Sequence, residues 1–337
     1  MSSPSVEAAP ATREITIAQA VNEALAEELR RDERVFVIGE DVAEAGTPFK
    51  VLSGLVEEFG PERILDSPIS EAGITGLGVG AAMTGLRPVV DIMFGDFLTL
   101  VLDQLANQAA KTHYMSGGNL SVPLVLRTTL GATRRSAAQH SQSLQAWVAH
   151  IPGLKVVLPS TPYDAKGLLK TAIRDDNPVV FIEDKMDWRV IGAVPEGEYT
   201  LPLGVADVKR AGDDVTLVGT SSMVRVCLTA ADLLAAEGIS AEVVDPRTLV
   251  PLDADALVRS AEKTGRAIVV DEGHRGYGVT AELAATIAER AFYHLDAPVR
   301  RLGALDVPVP FSPPLEDETV PTAERVAAAA RELCRQG

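Results

Sequence analysis

LKVVLPSTPYDAKGLLKTAIRDDNPVVFIED, residues 154–184, is the stretch that decides the fold. Two apolar runs, LKVVLPS at 154–160 and NPVVFIED at 177–184, bracket a segment of helical character. Short apolar runs bounded by Pro, Asn and Asp read as strands buried on both faces. Between them Thr161 is placed to N-cap a helix, Pro162 takes the first helical position, and Asp164 can complete a capping box. Strand, helix and strand in that order imply a parallel pair joined by a crossover.

The alternation continues in both directions. Upstream, EITI at 14–17 leads into Ala20, Val21, Ala24, Leu25 and Leu29 at helical spacing. VFVIGED at 35–41, RPVVDIMF at 87–94 and PLVLRTTL at 123–130 follow as strands. The pattern lapses after 185 and resumes with DVTLVGTSS at 214–222, a helix closed by Gly238, strands ISAEVVDPRTL at 239–249 and RAIVVDEG at 266–273, and a last helix at 322–335. The expected fold is α/β, with two domains that are each a largely parallel sheet flanked by helices. The expected boundaries are a disordered tail at 1–13, a first domain at 14–190, a linker at 191–205 and a second domain at 206–337.

Composition narrows the function classes. The net charge is −16, which argues against nucleic acid as a partner, because that affinity rests on Lys and Arg at phosphates. No run approaches the ~20 apolar residues of a membrane span. The first thirteen residues lack the apolar core of a signal peptide. Cys227 and Cys334 have neither metal-ligand spacing nor a disulfide framework, so a reducing, cytoplasmic setting is expected.

Candidate chemistry centres on two residues. Glu71 opens a helix of small residues, DSPISEAGITGLGVGAAMTG at 66–85. An acid there is favoured by the helix dipole alone, but a carboxylate among apolar and glycine residues is poorly solvated, and such a group is either paired or used. The glycine run superficially resembles a dinucleotide fingerprint, yet Ala81 fills its last position and no apolar strand leads into it. Gly73, Gly76, Gly80, Ala81 and Ala82 read instead as the face of a closely packed helix. His140 lies in AAQHSQSLQAW, in a loop entering a helix, where either a structural or a functional role is open. No nucleophile elbow, metalloprotease helix or Walker motif appears, which leaves hydrolase and metalloenzyme readings without support.

At this point the long motifs become recognisable. DSPISEAGITGLGVGAAMTGLRPVVDIMFGDF, DQLANQAAKTHYMSGG, AAQHSQSLQAW and HIPGLKVVLPSTPYDAKGLLKTAIRDDNPVVFIE occur in a fixed order. The chain resembles, from about residue 14 to its end, the β subunits of the pyruvate, branched-chain and acetoin dehydrogenase complexes, a transketolase-like family. The resemblance implies a thiamine-diphosphate pyrimidine-binding domain at 14–190 and a transketolase C-terminal-like domain at 206–337. It further implies an α subunit, carrying the diphosphate and Mg²⁺ site, in an α₂β₂ heterotetramer, and a lipoyl acyltransferase core. Gly-Asp-Gly, the usual mark of the α-subunit site, is absent here: Gly95-Asp96 continues into Phe97.

Carried over position by position, Glu71 matches the glutamate that hydrogen-bonds N1′ of the aminopyrimidine and favours its 4′-imino tautomer. Phe97 matches the aromatic packed on that ring, and Ile69 and Met93 match neighbouring cofactor contacts. His140 matches the histidine thought to assist acyl transfer to the lipoyl arm. Leu124, Ala172, Ile173, Asp175 and Asn177 match a structural K⁺ site, although TAIRDDNP also reads as a polar turn. Arg134 and Arg135 stand where many relatives have small residues, and could read an acidic substrate or be surface charge. The expected reaction is oxidative decarboxylation of a 2-oxo acid, pyruvate first, with acyl transfer to lipoamide. Cleavage of acetoin and a non-catalytic subunit with a degenerate site are the alternatives.

Overall fold

The structure, a computed structural model, describes residues 11–335. The tail expected at 1–13 falls outside that range through residue 10. Its last residues do not fit the expectation, because Thr12 and Arg13 belong to β1 (Thr12–Thr16). The strands of the first half follow as β2 (Val35–Gly39), β3 (Ile64–Asp66), β4 (Arg87–Ile92), β5 (Val125–Leu130), β6 (Lys155–Val157), β7 (Val179–Asp184) and β8 (Ile191–Pro195). Those of the second half are β9 (Asp207–Arg210), β10 (Val215–Gly219), β11 (Ala241–Asp245), β12 (Thr248–Val250), β13 (Ala267–His274) and β14 (Arg300–Ala304).

The first sheet runs β12-β6-β7-β5-β4-β2-β3, and all its pairings are parallel except that of β12 with β6. Its central strands are buried along their whole length, the polar residues of β5 and β7 included. Helices Ile17–Arg31 and Pro162–Arg174 cover one face. Helix Glu71–Met83 and the long helix beginning at Leu98, with a π-turn over Gln104–Ala109, cover the other. The second sheet runs β14-β13-β10-β11-β9, parallel apart from edge strand β9. Helices Met223–Ala235 and Ala323–Arg335 lie on one side, and Ala254–Thr264 and Val279–Arg290 on the other.

Three features depart from the sequence reading. The segment expected as a linker, 191–205, contains β8, which pairs antiparallel with β1 from Thr12↔Pro195 to Thr16↔Ile191. These strands are partly exposed and weakly apolar, so their mutual pairing rather than a hydrophobic pattern defines them. Second, β12 comes from the later half of the chain but completes the edge of the first sheet beside β6. Third, Thr161 caps its helix as expected, accepting from the Asp164 N–H at 3.1 Å, but Asp164 does not close a capping box. Its carboxylate is fully buried and meets Lys209 and Arg247 (2.7 Å), reaching into the later half of the chain.

Candidate active site

In an open parallel sheet the natural ligand crevice lies beyond the carboxyl ends of the strands, where successive connections leave in opposite directions. The chain goes from β2 to β3 on one side and by β4 to β5 on the other, so that point falls between β2 and β4. Glu40 follows β2, Ile69 and Glu71 follow β3, Met93, Phe94 and Phe97 follow β4, the loop ending in His140 follows β5, and Lys185 follows β7. One edge of the sheet thus gathers the sequence-derived candidates with residues the sequence did not single out.

His140 and Phe97 are in direct contact. Their ring centroids lie 5.6 Å apart, edge to face, and Phe94 meets the same imidazole at 4.8 Å. Lys185 Nζ donates to the His140 carbonyl and lies 5.4 Å from the Phe94 centroid. Burial pushes the Lys185 ammonium below its ordinary pKa, against the charges of Asp96, Asp184 and Glu272. Asp96, itself buried, accepts from the Gln142 N–H at 3.1 Å and its side-chain amide at 3.0 Å, tying the segment after His140 to the turn that carries Phe97. That turn depends on Gly95: a Cβ there would fall 2.2 Å from the Thr129 carbonyl oxygen, so only glycine lets the end of β4 lie on β5.

The loop from β5 to His140 is unusual in its backbone. Gly131 (φ 106°), Thr133 (65°), Arg135 (61°) and Ala137 (59°) all take left-handed conformations. For non-glycine residues each such conformation costs about 1–2 kcal/mol, and it persists only where the surroundings enforce it. At Gly131 a Cβ would come within 2.8 Å of Asp184 Oδ2 and 3.1 Å of Glu272 Oε2.

Glu71 is the first residue of its helix and half-buried, and its side chain makes no hydrogen bond or ion pair with the described residues. Ile69 beside it is 73% exposed, large for an apolar side chain, and Met93 and Phe97 are half-buried. A free carboxylate with an apolar rim that no described residue covers fits an aromatic, nitrogen-bearing ring such as an aminopyrimidine. Glu40, from the neighbouring strand end, senses the same carboxylate. Its own carboxyl is pushed up by burial first, then by Asp41 and Glu71.

The segment resembling a K⁺ site lies at the opposite, amino edge of the sheet. Arg87 donates to the carbonyls of Ile173 at 3.0 Å and Asp175 at 3.1 Å, and Lys155 pairs with the Asp175 carboxylate. Asn177 donates its N–H and its amide to Asp175 at 2.9 Å, and the Leu124 carbonyl accepts from the Val179 N–H at 2.9 Å. Ala172 is buried beneath this turn. The oxygens therefore already meet two fixed cations, an arrangement that favours K⁺ less than an open ring of carbonyls would.

The glycine helix packs differently from the sequence reading. Gly78 is the tight position, where a Cβ would meet Val90 at 2.4 Å, while Gly80 has nothing within 4 Å and Gly73 is exposed. The two arginines also separate. Arg135 is locked onto Glu316 and Asp317 at 2.5 and 2.7 Å. Arg134 lies 4.7 Å over the Phe49 ring and 5.9 Å from that of Trp188; the two rings touch each other, and Phe49 also meets Phe94. Phe49, Phe94, Lys185 and Trp188 thus line the site without having been identified from sequence. The available signal was position: Phe94 and Lys185 follow the ends of legible strands.

Comparison with known proteins agrees with this fold. The chain matches the transketolase pyrimidine-binding domain over residues 13–190 and the transketolase C-terminal domain over residues 204–326. It is 50% identical to the acetoin:2,6-dichlorophenolindophenol oxidoreductase subunit beta of Bacillus subtilis, covering 95% of this chain and 97% of that one. It is 47% identical to the 2-oxoisovalerate dehydrogenase subunit beta of the same organism, covering 93% and 97%. It is 46% identical to the pyruvate dehydrogenase E1 component subunit beta of Rickettsia bellii, covering 95% and 99%. Among solved structures, a split-gene transketolase described as an inactive beta4 tetramer shares the fold, with a TM-score of 0.78 at 24% identity over 96% of this chain and 99% of that one.

Proposed function

Since the chain belongs to the transketolase-like family of β subunits of 2-oxo acid dehydrogenase first components, which depend on thiamine diphosphate, we propose that it supplies the pyrimidine-side half of an active site completed only by an α subunit. The observation that carries this reading is the unpartnered Glu71 carboxylate at the strand switch point, with Ile69, Met93 and Phe97 around it and His140 against Phe97. Glu71 would hold the proton at N1′ of the aminopyrimidine, Phe97 would pack on the ring, and Ile69 and Met93 would enclose its edges. When bound, the cofactor supplies an electron sink for breaking the bond beside the substrate carbonyl. His140, with its backbone held by Lys185 and its ring between Phe94 and Phe97, would move a proton as the acyl group passes to a lipoyl arm.

The reaction we assign is oxidative decarboxylation of a 2-oxo acid, pyruvate first, in the cytoplasm, with acyl transfer to the lipoamide of an acyltransferase core. Mg²⁺ belongs to the α subunit in this reading. Potassium at Leu124, Ala172, Ile173, Asp175 and Asn177 remains a subsidiary proposal, which potassium-specific thermal stabilisation would support. Acetoin cleavage is the second reading, favoured by the half-identical Bacillus subtilis relative.

The test is reconstitution. The β chain alone is expected to reduce no artificial acceptor with any substrate, whereas the chain co-purified with its α subunit, thiamine diphosphate and Mg²⁺ should turn over. A panel of pyruvate, branched-chain 2-oxo acids and acetoin then ranks the substrates by kcat/KM. Decarboxylation by the isolated β chain, or an inert complex with every substrate, would overturn the proposal.

A further inference from the structure

We infer that the C-terminal half of the chain positions the loop carrying His140, through two carboxylates, Glu272 and Glu316, that grip its backbone. The inference rests on the role proposed above for His140. Neither acid touches the site itself. Glu272, on β13, accepts from the Ala132 N–H at 2.6 Å. Glu316, fully buried in the short helix Pro313–Glu316, accepts from the Arg135 N–H at 3.2 and 3.3 Å and from its guanidinium at 2.5 Å. Lys185 adds a third anchor at the His140 carbonyl. These grips bracket the left-handed residues Thr133, Arg135 and Ala137, a conformation that a free loop would abandon.

The Glu272 grip has a second component. Asp184, at the end of β7, lies beside Glu272 beneath Gly131 and accepts from the Met186 N–H at 2.7 Å, and Ser222 Oγ donates to Glu272 at 3.2 Å. Burial first, and then the charge of Glu272, hold the Asp184 carboxyl well above the ordinary carboxylate range. Lys185 is a nearby cation whose charge acts on both Asp184 and Glu272 while its Nζ donates to the His140 carbonyl. Asp187, pushed up to about 6 by burial and by Asp184, meets Arg225 from helix Met223–Ala235. Asp96 bonds Gln142, and Arg134 stacks on Phe49. Asp271, the next residue along β13, points to the other face, to Thr220 and Gln145. Raising the pH through the elevated Asp184 value puts two carboxylates side by side and loosens the hold on Ala132.

Amide exchange across residues 131–140 of the full chain reads this directly, alongside kcat and KM of the reconstituted α–β complex. Glu272→Ala and Glu316→Ala are each expected to speed exchange there by about tenfold or more, without changing β4 or β10, and to lower kcat in the same order while KM holds. Glu272→Gln, which can still accept from Ala132, should restore protection, and it serves as the test if the alanine variant fails to fold. After correction for intrinsic rates, the parent chain should lose loop protection as the pH rises through the elevated Asp184 value. Asp184→Asn, a permanently neutral donor to Glu272, should retain it. Unchanged exchange in both alanine variants, loosened loops with undiminished kcat, or equal alkaline loss in Asp184→Asn and the parent would each overturn the inference. If the complex proves inert on every substrate, the functional reading fails by itself, and exchange still decides whether the carboxylates position the loop.

Discussion

Glu71→Gln is expected to lower turnover of the reconstituted complex by about 10²–10⁴-fold, the range lost when a positioned acid–base group is removed. Assembly and thermal stability should hardly change. The side chain has no partner among the described residues to leave behind, so its removal orphans nothing. Its placement at the first position of the helix contributes at most about 0.3–1 kcal/mol through the helix dipole. The amide is isosteric with the acid but cannot hold a proton at N1′, so substrate binding and subunit contacts should survive while kcat collapses. Native mass measurement, a melting curve and steady-state kinetics on one preparation separate these effects. Near-parental kcat in a correctly assembled Glu71→Gln complex would remove Glu71 from the mechanism. Loss of assembly would mean that its main role is at the subunit contact.

Glu71 also marks how far the sequence could be read. Its position at the head of a small-residue helix was visible in DSPISEAGI, as were Phe97 and His140 in their motifs. The central strands VFVIG, VLRTTL and VVFIED announced themselves because both faces are buried and most positions are apolar or bonded. The strands that escaped notice, ILD at β3, IGAVP at β8, DVKR at β9 and RRLGA at β14, are short or at sheet edges, where charge guards an open ladder and periodicity is lost. The residues around the site escaped for a different reason. Phe49 and Lys185 come together because the segments after β2 and β7 meet at one edge of the first sheet, while Glu272 and Glu316 reach the His140 loop from β13 of the second sheet and from helix Pro313–Glu316. No local pattern encodes that adjacency; the strand order does.

The same strand order produces the largest expected stability effect, at Arg127. Its guanidinium is buried in the middle of β5, donating to Glu183 on β7 at 2.6 and 2.8 Å and to Asp91 on β4. Trp188 Nε1 also donates to Glu183, at 2.9 Å. One cation thus serves two buried carboxylates on the neighbouring strands. Burial outweighs the arginine and already holds the Asp91 carboxyl above its ordinary value. Arg127→Met keeps much of the volume but strands both acids, and removing one partner from such a buried network costs about 3–5 kcal/mol. The pH dependence identifies the cause. Without Arg127 the already raised Asp91 carboxyl should rise further, so the penalty shrinks as the pH falls from that raised value to the ordinary carboxyl range, below which both states are protonated. Denaturant unfolding should therefore show a wide gap between parent and variant at neutral pH that narrows in mild acid. A gap that stayed constant would point to lost packing, and a loss below about 1 kcal/mol would show that the triad does not hold the sheet. Because β4, β5 and β7 deliver Phe94, the His140 loop and Lys185 at their carboxyl ends, loosening this clamp should also disorder the site it supports.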